Sequence, residues 1–454
     1  MYPFNPMRVL PKTDLNSNLK INSKTNVSDV TGNMNTITDT LVIFGEVFQR
    51  GYVNGMIEEA ERLGINVVYT TVGRRDENNK LRPLTSIEID EKNQFPLINI
   101  PLEAGFDLIP WNDGMTLVDK LLPYKMSQWK DIKIDFKELD QIIEKSNLDF
   151  SNRSADFVIE LIKIIPKNGN IIFAHTMAGG IPRAKIVMPT MNRIFKGSGD
   201  RFESSEEFVN TTLGEICMKS FDEVTANTFQ ILIDVTANLR TEREKNGFKV
   251  GYTAFGYHGC DALVDNKYIW QSYAPYLQGW AKIKLENIAI QSFENNIQAS
   301  VFNAPEILTN SSSVFLGVEV CLYPLLSALK KEGLTTTHKV FKECQQKLKD
   351  GYSLSQIEDY VQDYLNSDIA QVLTQFETWP HHNLPEQMEK MKLASSELIN
   401  MHKDPKDLIT SNLSELVFKA CGALMIHEVL DLKAPVWWIG HDIVAKWTAE
   451  GKNK

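Results

Sequence analysis

Residues 40–76 read TLVIFGEVFQRGYVNGMIEEAERLGINVVYTTVGRRD. Four apolar residues, Leu41–Phe44, end at Gly45, and a glycine-bounded turn runs from Gly45 to Gly51. Apolar residues then recur at helical spacing from Tyr52 to Leu63, Gly64 stops that pattern, and a second apolar run covers Ile65–Thr70. The pattern predicts a βαβ unit. Gly45 lets the backbone turn sharply out of the first strand. Gly51 and Tyr52 stand where the helix begins and where a phosphate can lie on its free N–H groups. The second strand runs into Val72-Gly73-Arg74-Arg75, the place where a dinucleotide fold seats the adenosine ribose. An acidic residue there suits a 2′-hydroxyl, whereas paired arginines suit a 2′-phosphate. The stretch therefore reads as a dinucleotide site preferring NADPH, with NADH as the other coenzyme of the class. A βαβ unit of some other α/β fold, with two solvated arginines, is the competing reading, because the spacing departs from G-x-G-x-x-G.

The whole chain has 454 residues, 43% of them hydrophobic and 23% charged, which is an ordinary globular balance. A net charge of −10 argues against broad nucleic-acid binding. The five cysteines (Cys217, Cys260, Cys321, Cys344 and Cys421) are scattered without a C-x-x-C, which predicts reduced thiols and a cytoplasmic protein. No run of about eighteen apolar residues predicts a membrane span, and no basic-then-apolar leader opens the chain.

Residues 1–38 are rich in Asn, Thr, Ser and Lys and read as a polar arm. After the opening unit, Phe95–Ile100 predicts a third strand, Phe136–Lys145 and Ser154–Ile165 two helices, and Asn170–His175 a fourth strand. That strand breaks at Met177-Ala178-Gly179-Gly180; α/β sheets bind ligands at such strand ends, and a residue without a Cβ lets backbone approach a cofactor closely. An irregular insert follows with Arg183, Lys185, Arg193, Lys196 and Arg201. Then come a long helix over Ser220–Lys245, a strand over Phe248–Phe255, a helix from about Tyr276 to Glu294 and a strand over Gln298–Phe302. Alternating strands and helices predict a doubly wound parallel sheet over residues 39–312. Beyond residue 312 helical spacing dominates, so 313–454 reads as a helical extension.

The segment from Lys249 to Asn310 carries the most chemistry. It contains Gln278-Gly279-Trp280-Ala281-Lys282-Ile283-Lys284-Leu285-Glu286 and, at a strand end, Asn303-Ala304-Pro305-Glu306-Ile307-Leu308-Thr309. Here the chain resembles the short-chain dehydrogenase/reductase superfamily, and within it the enoyl-ACP reductases, whose blocks read like M-G-L-A-K-A-S-L-E and A-G-P-I-R-T. The resemblance spans about residues 40–312. It implies a Rossmann-like α/β fold and reduction of an enoyl thioester carried on acyl carrier protein or coenzyme A. It also implies pairing of subunits into a homo-oligomer, a contact that the helical extension can block or replace. Lys282 matches the family lysine and Tyr252 a family tyrosine after the fifth strand. Ile307 and Thr309 would face the nicotinamide carboxamide and the pyrophosphate, and Asn227 would shape active-site backbone or water.

In that reaction hydride reaches the β-carbon and negative charge develops on the thioester oxygen. A phenol can hydrogen-bond and protonate the enolate, and a nearby lysine holds the cofactor ribose and favours the anion. The proton donor departs from the usual spacings. Pro275 occupies the Tyr-x6-Lys position and Tyr-x3-Lys is absent, whereas Tyr273 stands at Tyr-x8-Lys and Tyr276 at Tyr-x5-Lys. Tyr273 is favoured, with Tyr276 second. Three bland readings stand beside these: packing tyrosines for Tyr257 and Tyr268, a local backbone cap for His175, and core or subunit contact for Val436–Ile439. A β-ketoacyl reductase and a catalytically silent nucleotide-binding scaffold are the alternative functions. His381-His382 and His427-Glu428 lack a third ligand at diagnostic spacing, so no metal is expected.

Overall fold

A computed structural model describes residues 38–256, 259–271, 277–307, 317–333, 335–371 and 383–450. Its centre is a seven-stranded parallel sheet. The strands are β1 (Thr40–Phe44), β2 (Asn66–Thr71), β3 (Leu97–Pro101), β4 (Ile171–His175) and β5 (Val250–Gly256). An antiparallel hairpin off the sheet follows, β6 (Cys260–Val264) with β7 (Lys267–Gln271), and then β8 (Gln298–Asn303) and β9 (Val436–Trp438). The order across the sheet is β9-β8-β5-β4-β1-β2-β3. The chain winds outward from β1 through β2 to β3 and then crosses to the other side of β1, so a crevice opens beyond the carboxyl ends of β1 and β4.

Alternation along β1 shows how both faces are filled. Leu41 and Ile43 join one core, with Met56 and Ala60 of helix α1 (Val53–Arg62) and the C-terminal residues Val417, Cys421 and Met425. Val42 and Phe44 join the other, with Phe150, Phe157 and Leu161 of helix α2 (Phe136–Ile164). A parallel strand buried on both faces reads as a continuous apolar run for this reason.

Some expected elements differ. Helix α2 is one unbroken helix of 29 residues rather than two. Its buried stripe continues through Ser146, Phe150 and Ser154, and the Ser146 hydroxyl donates to the Gly105 carbonyl (3.0 Å), so small polar residues hide the periodicity. The helix expected over Ser220–Lys245 is broken into α3 (Thr212–Phe221), a π-helical turn at Asp222–Asn227, α4 (Thr228–Val235) and a further helix, Ala237–Lys245. The insert after Pro182 contains a helix, Val187–Lys196. Val436–Trp438 is a strand of the main sheet, paired to β8 in register Val301–Val436, so the C-terminal region supplies an edge strand as well as helices. Three residues are too short a run for periodicity to reveal.

Helix α5 (Gly279–Glu294) carries the lysine block, α6 (Ile409–Glu428) lies on α1, and α7 (His441–Ala449) packs beside α6. By length and composition α6 is long and apolar enough to cross a membrane, yet most of that stretch is buried inside the protein. It meets α1 backbone to backbone. A Cβ on Gly55 would fall 1.8 Å from the Phe418 carbonyl oxygen, and one on Gly422 would fall 2.1 Å from the Gly55 carbonyl carbon. Gly422→Ala is therefore expected to push the helices apart and cost about 3 kcal/mol, read as a lower denaturation midpoint in chemical unfolding. An unchanged midpoint would show that the crossing adapts.

Candidate active site

The carboxyl ends of β1, β4, β5 and β8 bring Gly45, His175, Gly256 and Asn303 to one edge of the sheet. Gly45 has φ +130°, and a Cβ there would lie 2.2 Å from the Thr176 hydroxyl. Its N–H donates to the Thr70 hydroxyl on β2 (3.0 Å), which ties the turn to the neighbouring strand. Beside it, α1 starts without a side-chain cap, and the Asn54 and Gly55 N–H groups of its first turn donate to the Gly51 and Tyr52 carbonyls (3.2 Å each). Nothing lies within 4 Å of a Cβ on Gly51. Tyr52 is buried, stacks on Phe255 and donates its hydroxyl to the Pro305 carbonyl (2.6 Å). It thus joins the start of α1 to the loop after β8. These features fit a dinucleotide diphosphate lying across the turn.

Across the crevice, Ala178 is exposed and Gly179 has φ +141° with open space where a Cβ would be. The Gly179 carbonyl accepts from the Thr225 hydroxyl (3.0 Å), and Gln278 Nε2 donates to the same hydroxyl (3.2 Å). The π-helical turn thereby links the loop after β4 to the start of α5. Asn227 ends this turn, half-buried.

One helical turn beyond Gln278, Lys282 is buried and donates from Nζ to the Phe255 carbonyl at the end of β5 (2.7 Å). One turn further, Glu286 accepts from Asn303 Nδ2 (2.7 Å). Burial pulls the Lys282 ammonium down to about 7, opposed by the Glu286 charge. Burial likewise pushes the Glu286 carboxyl up to about 8, opposed by the Asn303 hydrogen bond and the Lys282 charge. His175 is fully enclosed, and its Nε2 lies 2.8 Å from the Thr228 hydroxyl. Thr228 gives its own proton to the Val224 carbonyl, so His175 is assigned as the Nε2–H donor. Burial, with the Lys282 charge, lowers this imidazole to about 3 and keeps it neutral.

The structure does not bring Tyr252 to this edge. It is the third residue of β5, fully buried, with its ring stacked on Phe173 and its hydroxyl bonded to Thr236 (2.7 Å) and Arg240 (2.9 Å). It packs near the amino end of the strand, away from the expected cleft. Arg74 and Arg75 do follow β2, but each is engaged by a carboxylate, Glu46 and Glu103 respectively. Ile307 is buried in the core shared with the C-terminal helices. Tyr257, His258, Tyr273, Tyr276, Thr309 and the pair His381-His382 lie outside the described residues. His427 is paired with Glu59 on α1 (2.7 Å).

A family model, Enoyl-acyl carrier protein reductase FabMG, matches residues 24–448. The chain belongs to this family. The apo structure of FabMG, described as a novel type of enoyl-acyl carrier protein reductase, is 42% identical. It covers 93% of this chain and 97% of that one, with a TM-score of 0.86. An NADH-bound structure of FabMG is 39% identical over 89% of this chain and 94% of that one, with a TM-score of 0.73. No curated protein matches the chain. The resemblance of Gln278–Glu286 and Asn303–Thr309 to enoyl-ACP reductase blocks therefore holds at the level of the family, and the protein is an oxidoreductase. The sequence assigned no function to Glu46 or Thr225, and Gln278, Glu286 and Asn303 entered only as members of the blocks that carry the resemblance. Glu286 carried a signal, standing one helical turn after Lys282, whereas the others meet the site through tertiary contacts.

The buried pair in this FabMG member makes stability depend on pH in a defined direction. Glu286 is raised above its ordinary value of 4.5, so the folded state binds the extra proton and this group's contribution is lost as pH rises from about 4.5 through about 8. Lys282 is lowered from 10.5, so its contribution is recovered as pH rises from about 7 to 10.5. Glu286→Gln is expected to leave the melting temperature unchanged near pH 5 and to raise it by several degrees near pH 9. Equal melting temperatures of the two proteins at both pH values would show that the carboxyl titrates normally.

Proposed function

We propose that the protein reduces the double bond of an enoyl thioester carried on acyl carrier protein, with a reduced nicotinamide dinucleotide as coenzyme. The observation that carries this reading is Lys282, buried at the strand-end crevice and hydrogen-bonded to the Phe255 carbonyl, in a chain of the FabMG family. When bound, the coenzyme supplies the hydride for the substrate β-carbon. The Gly45 turn, the start of α1 and Thr309 would hold the diphosphate, Ala178 and Gly179 would let backbone approach the coenzyme, and Ile307 would face the nicotinamide carboxamide. Lys282 would hold the ribose and stabilise charge developing on the thioester oxygen. Tyr273 or Tyr276, the residues placed for it by spacing, would hydrogen-bond that oxygen and deliver the proton.

The expectation of NADPH rests on Arg74 and Arg75. Their pairing with Glu46 and Glu103, together with the NADH bound in a FabMG relative, supports NADH instead. The unbridged state of all five cysteines supports a reducing compartment such as the cytoplasm. Coenzyme A as carrier and a ketoacyl substrate are the neighbouring readings.

The test follows dihydronicotinamide absorbance with crotonyl-ACP, crotonyl-CoA and acetoacetyl thioesters. Turnover of the enoyl substrate, reduced about 100-fold or more in Lys282→Ala and in one of Tyr273→Phe and Tyr276→Phe, is the expected result. Coenzyme binding without turnover of any enoyl thioester would overturn the proposal in favour of a silent scaffold, and turnover of acetoacetyl alone would make the protein a ketoacyl reductase.

A further inference from the structure

The adenosine end of the crevice is built around a carboxylate from an unexpected place. Dinucleotide folds that take NADH carry an acidic residue just after the second strand. Here that position holds Gly73 and Arg74, and the acid comes from the turn after β1 instead. Glu46 is buried, and its carboxylate reaches across to the end of β2. It accepts from the Thr71 hydroxyl (3.2 Å) and the Val72 N–H (3.3 Å), so it stands at the carboxyl end of β2 although it follows β1 in the chain.

The same carboxylate takes both terminal nitrogens of Arg74, at 3.0 and 3.1 Å, in a two-point contact. The Arg74 fork also donates to the Gly73 carbonyl (2.7 Å). Lys92, from the helix Ser86–Lys92, adds a second cation at 2.5 Å. Burial alone would push the Glu46 carboxyl up, but hydrogen bonds and charge from Arg74 and Lys92 hold it below its ordinary value, so it is ionised at neutral pH. Arg75 is tied elsewhere. It donates to Glu103 and to the Asn79 carbonyl, and Glu103 is shared with Arg183. Both guanidiniums that could have read a 2′-phosphate are thus engaged.

We infer that Glu46 is a specificity-determining residue of this site: it occupies Arg74 in place of a 2′-phosphate and keeps a fixed anion at the end of β2, selecting NADH over NADPH. The inference rests on the proposed coenzyme class. A ribose 2′-hydroxyl is neutral and meets no charge repulsion from that carboxylate. A 2′-phosphate would meet that anion at close range and would have to displace it from Arg74, in a partly buried setting where screening is weak.

The experiment measures dissociation constants for NADH and NADPH by dihydronicotinamide fluorescence, without acyl substrate, for the wild type, Glu46→Gln and Glu46→Gln/Arg74→Gln. The expected wild type binds NADH about tenfold or more tighter than NADPH. Glu46→Gln, which keeps the shape and frees Arg74, narrows that ratio about tenfold through tighter NADPH binding, and adding Arg74→Gln removes the gain. A wild type that prefers NADPH, or a Glu46→Gln protein whose two affinities change equally, overturns the inference. Should Glu46→Gln not fold, Arg74→Gln alone decides. NADPH binding within about twofold of wild type supports the inference, and a loss of about tenfold overturns it because Arg74 then already reads the phosphate. Failure of both nucleotides to bind sinks the inference with the coenzyme reading beneath it, whereas binding without thioester turnover sinks the enoyl reductase reading and leaves this one standing.

Discussion

A parallel sheet must be buried on both faces, and the architecture follows from how this chain meets that demand. One face of β1 is covered by α2, within reach of ordinary βα connections. The other is covered by α1 and the C-terminal helices, whose side chains share one continuous core with Leu41 and Ile43. The close crossing of α1 and α6 at Gly55 and Gly422 lets a second helical layer lie directly on the dinucleotide-type helix. β9, contributed from the far end of the chain, then closes the sheet edge beside β8. The C-terminal region is therefore part of the scaffold that fixes the start of α1 and the end of β8.

That scaffold allows charged groups to be buried at the strand ends. Lys282 and Glu286 lie one turn apart on α5, each held by a group of the sheet: the Phe255 carbonyl for the lysine and the Asn303 amide for the carboxyl. Asn303 in turn approaches Gly256 so closely that a Cβ there would fall 2.1 Å from its Oδ1. An unpaired buried charge costs several kcal/mol, so such a pair persists where neighbours over-determine it. A lysine brought near neutrality by burial can both hold a ribose hydroxyl and answer charge developing nearby, which a solvated lysine at its ordinary value does less well.

Much of this was legible in the chain. Leu41–Phe44 with its glycine turn, the run from Asn170 to His175, and the lysine block each signal their element through composition over a short window. What escaped notice came from contacts across long sequence separations. Glu46 meets Arg74 and Lys92 from a different strand end, Gln278 meets Thr225, and Asn303 meets Glu286. Two arginines after β2 look like a phosphate site when nothing says where Glu46 points. Tyr252 misled for a related reason: a tyrosine on a strand is equally suited to a cleft and to a core, and here Thr236 and Arg240 satisfy its hydroxyl deep in the packing. Val436–Trp438 was hidden by brevity, and Ser146 and Ser154 hid the continuity of α2.

The two ends of the crevice use the same chemistry to opposite effect. At the β1–β2 end, Glu46 is flanked by two cations that outweigh its burial, so the carboxylate stays charged and its partners are tied up. At the β5–β8 end, Glu286 meets the Asn303 amide and the charge of buried Lys282 among the described residues, burial outweighs them, and both Glu286 and Lys282 are drawn toward neutrality. A fixed anion that ties up its cations suits a site for a neutral ribose hydroxyl, which never changes charge. A pair near neutrality suits the place where charge must appear and vanish during a reaction. The difference arises from the Arg74 and Lys92 contacts on Glu46 and from the deeper burial of Glu286. It therefore belongs to the fold that brings distant segments together rather than to either acidic residue.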